Sequence, residues 1–232
     1  MSNSRPLAHV HLWLDPVLRS GPENMAYDEA ILRAATEPWL RIYSWREPTL
    51  SIGFSQALTK IPPSQAHWPV VRRWTGGGVV VHDGDWTYTL AIPTAISLSQ
   101  DPASDTYRRI HEAFMAALEA RGVPGATLQP ESVSDGMGVC FIEPARFDVV
   151  WQGQKVAGAA QRRTKVGLLH QGSVQGVPIP EGFGLSFAHE LAEEVTVEAP
   201  DLGSHFQATV ADLVAQKYGR EEWLQDRKTS VQ

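Results

Sequence analysis

Apolar residues recur every three or four positions in four stretches of the sequence, and this spacing predicts four amphipathic helices. The first stretch, "ENMAYDEAILRAAT", offers a cap at Glu23 or Asn24. The second, "SDTYRRIHEAFMAALEARGV", offers a cap at Ser104 or Asp105 and ends at Gly122. The last two, "SFAHELAEEV" and "HFQATVADLVAQKYG", are expected as closing helices over about residues 185–218.

Short runs of β-branched and aromatic residues between these helices predict strands. The runs "LRIYSW" and "TLSIGFS", joined by "REP", indicate a hairpin. Residues 70–93 indicate a strand, a glycine loop, a strand, a polar turn and a strand, and residues 146–174 indicate three further strands. Helices that flank runs of adjacent strands predict an α+β fold with mixed, mainly antiparallel sheets. No linker or repeat divides the sequence, so we expect a single domain over residues 1–232.

Three consecutive glycines, Gly76, Gly77 and Gly78, interrupt the strands of this region. Backbone without Cβ atoms can take positive φ and approach a ligand closely, with N–H groups directed at negative charge. A strand rather than a helix follows, so the pattern is neither a P-loop nor a dinucleotide fingerprint. A β-bulge without ligand also fits these glycines. Arg72 and Arg73 favour anion binding, because one of them should face the loop opening.

His82 ends the strand after the glycines, next to Asp83. Consecutive strand residues point to opposite faces, so a direct relay between these two is not expected. His82 is interpreted as a residue of a ligand pocket or as a brace for the loop. A hydrogen-bonded core histidine is the open alternative.

Lys155 heads a strand, which is a position typical of solvated surface lysines. It precedes the small residues Gly158, Ala159 and Ala160. These residues leave volume for an aliphatic chain, and a lysine at the mouth of such a slot could hold a carbonyl or carboxylate. Position alone leaves both interpretations open. Gly172, within "HQGS", indicates a close approach by backbone or ligand.

Four motifs occur in order over about residues 24–175: "NMAYDEAIL", "PTLSIGFSQ", "RRWTGGGVVVHD" and "KVAGAAQRR" with "LLHQGSV". Together they resemble the lipoate–protein ligase and octanoyltransferase family, a relative of biotin–protein ligase. The resemblance implies a biotin/lipoate protein ligase-like α+β catalytic domain. Members of this family attach lipoyl or octanoyl groups to one lysine of a lipoyl-carrier domain.

The resemblance also implies the site. Lys155 matches the pocket lysine, which lies beside the acyl carbonyl in transferases and holds the lipoyl carboxylate and phosphate in ligases. The residues implied to line the acyl or adenylate pocket are Arg73, Gly76, Gly77, Gly78, His82, Gly158, Ala159, His170 and Gly172.

Cys140, the only cysteine, stands where cysteine-dependent octanoyltransferases carry their nucleophile. In such an enzyme Cys140 takes an octanoyl group from an acyl carrier protein as a thioester and passes it to the acceptor lysine without a cofactor. Lys155 or His170 is the expected positive partner of the thiolate. The compact "HDGDWTYT" also favours a transferase.

Two alternatives remain. Gly78 matches the triple glycine of ligases, which use ATP and Mg²⁺ to form a lipoyl-adenylate, and Cys140 would then be a packed side chain. A non-catalytic carrier-binding protein would keep the pocket without turnover. In each case the partner is a lipoyl-domain protein or a glycine-cleavage carrier protein.

Composition narrows the remaining possibilities. Twenty Lys and Arg against 26 Asp and Glu give a net charge of −6, which argues against nucleic acid as a partner. No apolar run approaches the roughly 20 residues of a membrane helix, so we expect a cytoplasmic protein without membrane contact. A single cysteine excludes an internal disulfide, and the histidines lack H-x-x-x-H spacing, so no metal site is expected.

Overall fold

The structure is a computed structural model that describes residues 5–61, 63–131 and 145–229. The described part contains eleven strands and five α-helices in the order β1 (Leu7–Leu14), α1 (Gly21–Ala34), β2 (Trp39–Tyr43), β3 (Thr49–Ile52), β4 (Val70–Arg72), β5 (Val80–His82), β6 (Trp86–Pro93), α2 (Ala103–Ala120), β7 (Thr127–Leu128), β8 (Val149–Trp151), β9 (Gln154–Arg163), β10 (Gly167–Val174), α3 (Phe183–Leu191), β11 (Ala192–Val197), α4 (Ser204–Leu213) and α5 (Glu221–Asp226). None of the helices in these ranges is both long and apolar enough to cross a bilayer.

Eight strands form a large sheet in the order β11-β1-β2-β6-β10-β9-β8-β7. β1 pairs in parallel with β11 and β2, whereas every pairing from β2 to β7 is antiparallel. A small sheet has the order β4-β3-β5, with one parallel and one antiparallel pairing. The α+β architecture with mainly antiparallel sheets is the one that the sequence predicts.

The predicted hairpin between "LRIYSW" and "TLSIGFS" is wrong. Both edges of β2 are occupied, one by β1 and the other by β6, and β3 lies in the small sheet between β4 and β5. Strand propensity identifies both segments but carries no information about their partners, which come from distant parts of the chain. The connection between β2 and β3 therefore leads from one sheet to the other.

Three helix boundaries also differ from the sequence-based expectation. α1 is capped at Ser20, and Glu23 closes a capping box by accepting hydrogen bonds from the Ser20 amide at 2.8 Å and hydroxyl at 2.6 Å. α3 ends at Leu191, and the segment after it, predicted as helix, is the edge strand β11 beside β1. α2 is capped at Pro102 rather than at Ser104 or Asp105, and it ends before Gly122 as expected.

Apolar side chains cover both faces of the large sheet. On one face, α2 and α3 pack against the strands through an aromatic cluster of Trp86, Tyr88, Phe114, Phe183 and Phe187. On the other face, α1 packs against β6 and β10 and is covered in turn by α4. These two layers of helices hold the strands of the large sheet in fixed positions.

Candidate active site

A mostly apolar pocket lies between the two sheets and encloses about 490 Å³, counting the space at its open mouth. Its lining includes seven residues that the sequence singled out: Arg73, Gly77, His82, Lys155, Gly158, Ala159 and Gly172. The structure thus brings together segments that are separated by up to a hundred residues in sequence.

Lys155 is held at the pocket wall by an ion pair with Asp148. Its Nζ lies 2.8 Å from Asp148 Oδ2, and the two side chains are only 5% and 1% exposed. Asp148 also accepts hydrogen bonds from the Tyr107 hydroxyl and, at 2.6 Å, from the Ala145 amide. The Tyr107 oxygen in turn accepts from the Ala159 amide at 2.8 Å. Lys155 is therefore a fixed buried cation, and the alternative of a solvated surface lysine is wrong.

The position of Lys155 depends on the missing side chain of Gly158. A Cβ there would lie 2.7 Å from Lys155 Cε and 2.9 Å from its Nζ, distances that real Cβ atoms do not tolerate. A Cβ at Gly172 would likewise lie 2.2 Å from the ring of Tyr88. The first glycine leaves room for the lysine over β9, and the second lets a core tyrosine pack against β10.

His82 belongs to a buried chain of hydrogen bonds that joins the two sheets. Its Nδ1 donates to Asp85 Oδ2 at 2.8 Å, and the Ser51 hydroxyl lies 2.7 Å from its Nε2. Arg73 donates to Ser51 Oγ at 2.6 Å, and Asp85 also accepts from Ser173 of β10 at 2.5 Å. A serine, a histidine and a carboxylate in this order can relay a proton.

Burial and neighbouring charges determine which groups in this chain of hydrogen bonds are ionised. Burial lowers the pKa of His82, helped by the nearby Arg73 and opposed by Asp85, so the imidazole is neutral at pH 7. Burial opposes ionisation of Asp85, but His82 and the hydroxyls of Ser173 and Thr87 outweigh it and lower the Asp85 pKa. Neutral His82 can therefore accept a proton at Nε2 while ionised Asp85 fixes its tautomer.

Arg73 is the arginine that faces the glycine loop. It donates to the carbonyls of Gly76 at 2.9 Å and Gly78 at 3.0 Å, and Gly77 has φ of 87° as the loop's glycines allow. Arg72 instead donates to backbone carbonyls elsewhere, including that of Leu224 in α5. Two carbonyls of the loop thus face the Arg73 guanidinium. The anion binding expected of the loop's N–H groups stays a prediction.

His170 lies behind the pocket and does not line it. It is fully buried, with Nε2 3.2 Å from the Tyr88 hydroxyl and Nδ1 3.2 Å from Gln161 Nε2. Burial, with His111 nearby, lowers the pKa of His170 well below its usual value, so the ring is neutral. The expectation that His170 could be the positive partner of a thiolate is therefore wrong, and Lys155 is the candidate that remains.

Gly76 and Gly78 are not part of this lining. Gly76 borders an adjoining cleft together with Tyr107, Ala145 and Ala159. Cys140 falls outside the described residues.

Sequence reasoning missed the partners that give these residues their properties. Ser51, Asp85, Tyr107 and Asp148 were not singled out, and Asp83 is not the partner of His82. Only Asp85 left a local signal, because "HDGD" places a second carboxylate three residues after the histidine. Tyr107 lies on α2, 41 residues before Asp148, and no local pattern connects them.

Comparisons with known proteins identify the family of this chain. Residues 20–175 match the family model of the lipoyl protein ligase A/B catalytic domain. An octanoyltransferase LipM of Carboxydothermus hydrogenoformans is 33% identical over 170 residues, which are 70% of this chain and 63% of that protein. The octanoyltransferase LipM of Staphylococcus aureus is 32% identical over 178 residues, or 70% and 64% of the two chains. The chain thus spans less than two thirds of the length of these relatives.

Solved structures of the same fold align with almost the whole chain. Protein Ta0514 of T. acidophilum aligns with a TM-score of 0.76 at 21% identity, covering 93% of this chain and 98% of that one. A lipoate-protein ligase A with bound ATP aligns with a TM-score of 0.69 at 21% identity and the same coverage. The chain belongs to the family of lipoyl protein ligase A/B catalytic domains.

Proposed function

We propose that the chain is an acyltransferase that attaches an octanoyl or lipoyl group to a specific lysine of a lipoyl-carrier protein. The observation that carries the proposal is the buried cation of Lys155, held by Asp148 against the small-residue strand that walls an apolar pocket. The relatives named octanoyltransferase LipM support acyl transfer as the reaction.

The pocket suits the acyl substrate in two respects. Its lining is mostly apolar, with Met25, Val80 and the backbone of Gly158 and Ala159 beside the open volume. Each methylene of an acyl chain that is buried there contributes about 0.8 kcal/mol to binding. At the wall, the Lys155 ammonium can stabilise the oxyanion that develops on the acyl carbonyl during transfer.

The proposed reaction has two transfers. The thiolate of Cys140 attacks the thioester of an octanoyl-loaded acyl carrier protein, the C–S bond to the carrier breaks, and the carrier thiol takes up a proton as it leaves. The acceptor lysine amine then attacks the acyl-enzyme thioester. An amide forms, the bond to Cys140 breaks, and the amine gives up its proton. Cys140 must reach the pocket, and it precedes Ala145, which borders the adjoining cleft, by five residues.

Lys155 has a second role in this proposal. A cysteine is nucleophilic as its thiolate, which a nearby cation favours. Lys155 lines the pocket beside the small-residue strand β9, whereas the cation Arg73 is bonded to Ser51 and the glycine loop and neutral His170 is enclosed behind Tyr88. Neutral His82, in contact with Ser51, is placed at the other side of the pocket to accept the proton of the incoming amine.

The proposal requires no ATP or Mg²⁺. The donor is octanoyl-loaded acyl carrier protein, and the acceptor is the lysine of a lipoyl domain or of a glycine-cleavage carrier protein. The ATP-bound lipoate-protein ligase A shares the fold, so an ATP-dependent ligase is the alternative that the experiment must separate.

Intact-mass spectrometry tests the first transfer. The protein is incubated with octanoyl-loaded acyl carrier protein in the absence of ATP, and its mass is expected to increase by one octanoyl group. Addition of a lipoyl domain should then move the group to that domain. Cys140→Ser should abolish the adduct, and Ser51→Ala should retain it, because the buried Ser51 hydroxyl already bonds to His82 and Arg73.

Two results would contradict the proposal. An adduct that persists in Cys140→Ser and disappears in Ser51→Ala would assign the acyl group to the serine. ATP-dependent pyrophosphate exchange with lipoate or octanoate, together with no adduct from the loaded carrier, would identify an adenylate-forming ligase.

A further inference from the structure

Two partly exposed histidines and a glutamate gather beside β1, in a place that the proposed function does not use. His9 and His11 lie two residues apart on β1, so their side chains share one face of the strand. Glu37 reaches them from the segment between α1 and β2. One ligand atom of each residue lies within 4.8 Å of those of the other two. We propose that His9, His11 and Glu37 form a binding site for a divalent transition-metal ion such as Zn²⁺.

The distances fit a tetrahedral ion. Glu37 Oε2 is 2.8 Å from His11 Nε2 and 3.6 Å from His9 Nδ1. Ligand atoms at about 2.0–2.2 Å from a tetrahedral Zn²⁺ lie roughly 3.3–3.5 Å from one another. Small rotations of these partly exposed side chains therefore bring all three atoms into the coordination sphere, with a fourth position open to solvent.

Other groups hold the two imidazoles by their remaining nitrogens. His9 Nε2 lies 2.9 Å from Thr196 Oγ1 of β11. Glu198 Oε1 lies 2.7 Å from His11 Nδ1, although it is poorly aligned for a hydrogen bond. Metal-binding histidines commonly contact a carboxylate or hydroxyl in this way, which fixes the ring orientation and increases the basicity of the ligand nitrogen. The His11 ring also stacks on Trp39, with centroids 4.5 Å apart.

The backbone that carries the two histidines is well fixed. β1 is hydrogen-bonded on both edges, by β11 and by β2, so the spacing of the histidines does not depend on a loop. Two imidazoles and a carboxylate select Zn²⁺, Co²⁺ or a similar ion over Mg²⁺ and Ca²⁺, which prefer oxygen ligands. The sequence-based expectation of no metal considered helical H-x-x-x-H spacing. In a strand, H-x-H places two histidines on one face.

Zinc binding is measured by competition with a chromophoric chelator on protein without an affinity tag. The parent protein carries Cys140→Ser, so that the thiol does not compete for the ion. We expect one Zn²⁺ per chain, and Co²⁺ in its place should give the visible absorption of a four-coordinate ion. His9→Ala/His11→Ala should weaken binding by more than the roughly 10- to 100-fold that the loss of a supporting contact causes. The matched control is His189→Ala/His205→Ala, which removes two exposed histidines.

Further variants separate ligand loss from misfolding. Glu37 lies outside the strands and its side chain is 54% exposed, so Glu37→Gln should weaken Zn²⁺ binding while the melting temperature without metal stays unchanged. Thr196→Val should weaken binding by about 10-fold. Zn²⁺ should raise the melting temperature of the parent and of the control but not of the double variant. Equal Zn²⁺ affinity in the parent and in His9→Ala/His11→Ala, or no saturable binding by the parent, overturns the proposal.

Discussion

Two buried lysine–carboxylate pairs lie in different parts of this molecule. Lys155 pairs with Asp148 at the wall of the pocket, where the missing side chain of Gly158 leaves room for the end of the lysine. Lys217 Nζ lies 2.5 Å from Glu29 Oε2, where the segment after α4 packs against α1. Both lysine side chains are about equally buried, at 5% and 4% exposed. What surrounds each pair is different.

Lys217 is enclosed by aromatic rings and by other groups that bind Glu29. Its Nζ lies 4.3 Å from the ring centroid of Trp74 and 4.5 Å from that of Trp223. Tyr218 and Arg33 also donate to Glu29, at 2.5 Å and 2.6 Å. Burial lowers the pKa of Lys217 to about 8, in spite of the raising effect of Glu29.

The comparison shows that burial and ion pairing do not by themselves mark a functional lysine. Aromatic rings lie against the Lys217 ammonium, and its contact with Glu29 joins the C-terminal segment to α1. Lys155 has a pocket in front of it because Gly158 and its neighbours have small side chains or none. We therefore expect substitution at Lys155 to affect acyl transfer and substitution at Lys217 to affect stability.

The largest effect is expected from Lys155→Met. Removal of the ammonium deletes a group that stabilises the oxyanion, so the rate of acyl transfer should fall about 10²- to 10³-fold. Lys155→Met also removes the cation that pairs with buried Asp148, so the free energy of unfolding should fall by about 3 kcal/mol. Asp148 keeps the hydrogen bonds from Tyr107 and Ala145, and the fold should persist. The measurement is the single-turnover rate of octanoyl transfer, with circular dichroism as the check on folding. A rate within a few-fold of the parent would remove Lys155 from the mechanism.

Lys217→Met should lower the stability of the protein and leave the rate of acyl transfer unchanged. It removes the charge that pairs with buried Glu29, and we expect a loss of about 2–3 kcal/mol in the free energy of unfolding. The loss is smaller than for a fully unpaired charge because Arg33 still contacts Glu29. Urea denaturation measures it, with Lys228→Met, at a lysine that is 75% exposed, as the control. A transfer rate reduced as strongly as in Lys155→Met would contradict the distinction between the two lysines.

Gly158→Ala tests whether the missing side chain at position 158 fixes the position of the Lys155 ammonium. The new methyl group would displace the flexible end of the lysine, and the transfer rate should fall about 10-fold, equivalent to roughly 1.4 kcal/mol. The melting temperature should change little, because the displaced atoms are at the end of a side chain. The matched control is Gly76→Ala, where a Cβ meets nothing within 4 Å. Equal losses in both variants would show that the effect is not specific to Lys155.

The smallest effect concerns pH. Burial lowers the pKa of His82, His111 and His170, so each binds a proton in the unfolded chain below about pH 6.5 but remains neutral in the folded one. The unfolded state then binds more protons, and stability is lost as the pH falls below 6.5. His111→Asn keeps a donor for the Phe147 carbonyl, which His111 Nδ1 approaches to 2.7 Å. It should reduce the slope of stability against pH by up to about 1.4 kcal/mol per pH unit.

Urea denaturation at several pH values between 5 and 7 measures this slope. Lys217 has a pKa of about 8 in the folded protein, so it carries its proton in both the folded and the unfolded chain over most of this pH range. Lys217→Met should therefore leave the acid slope unchanged. An identical slope in the parent and in His111→Asn would mean that His111 does not contribute to it.

Much of the fold was predictable because it depends on local pattern. The stretch from β4 to β6 has the predicted order of strand, glycine loop, strand, turn and strand, and α2 ends before Gly122 as its sequence indicates. β11 was missed because "AEEV" has the composition of a helix end, while its pairing with β1 makes it a strand. β1 itself was not predicted, although it forms the centre of the parallel part of the large sheet.

The sequence singled out residues that line the pocket but not the contacts of those residues. Sequence motifs singled out Lys155, His82 and Arg73, and the pocket has all three in its lining. Their partners Asp148, Asp85 and Ser51 came only from the structure. The sequence placed His170 in the same motif as Gly172. In β10 the two residues share one strand face, which packs against Tyr88. The imidazole of His170 is therefore separated from the pocket.

The sequence by itself determined the kinds of element, the glycine positions and the chemical groups available, because these depend on residue type and on spacing over a few residues. Only the tertiary structure decided which carboxylate meets which lysine, and which histidine opens on a pocket. Glu29 and Lys217 are 188 residues apart, and Ser51 and His82 are 31 apart. Contacts over such separations follow from strand order and helix packing, so local propensity cannot specify them. The strand that carries His9 and His11 gains its rigid spacing in the same way, from two distant partners.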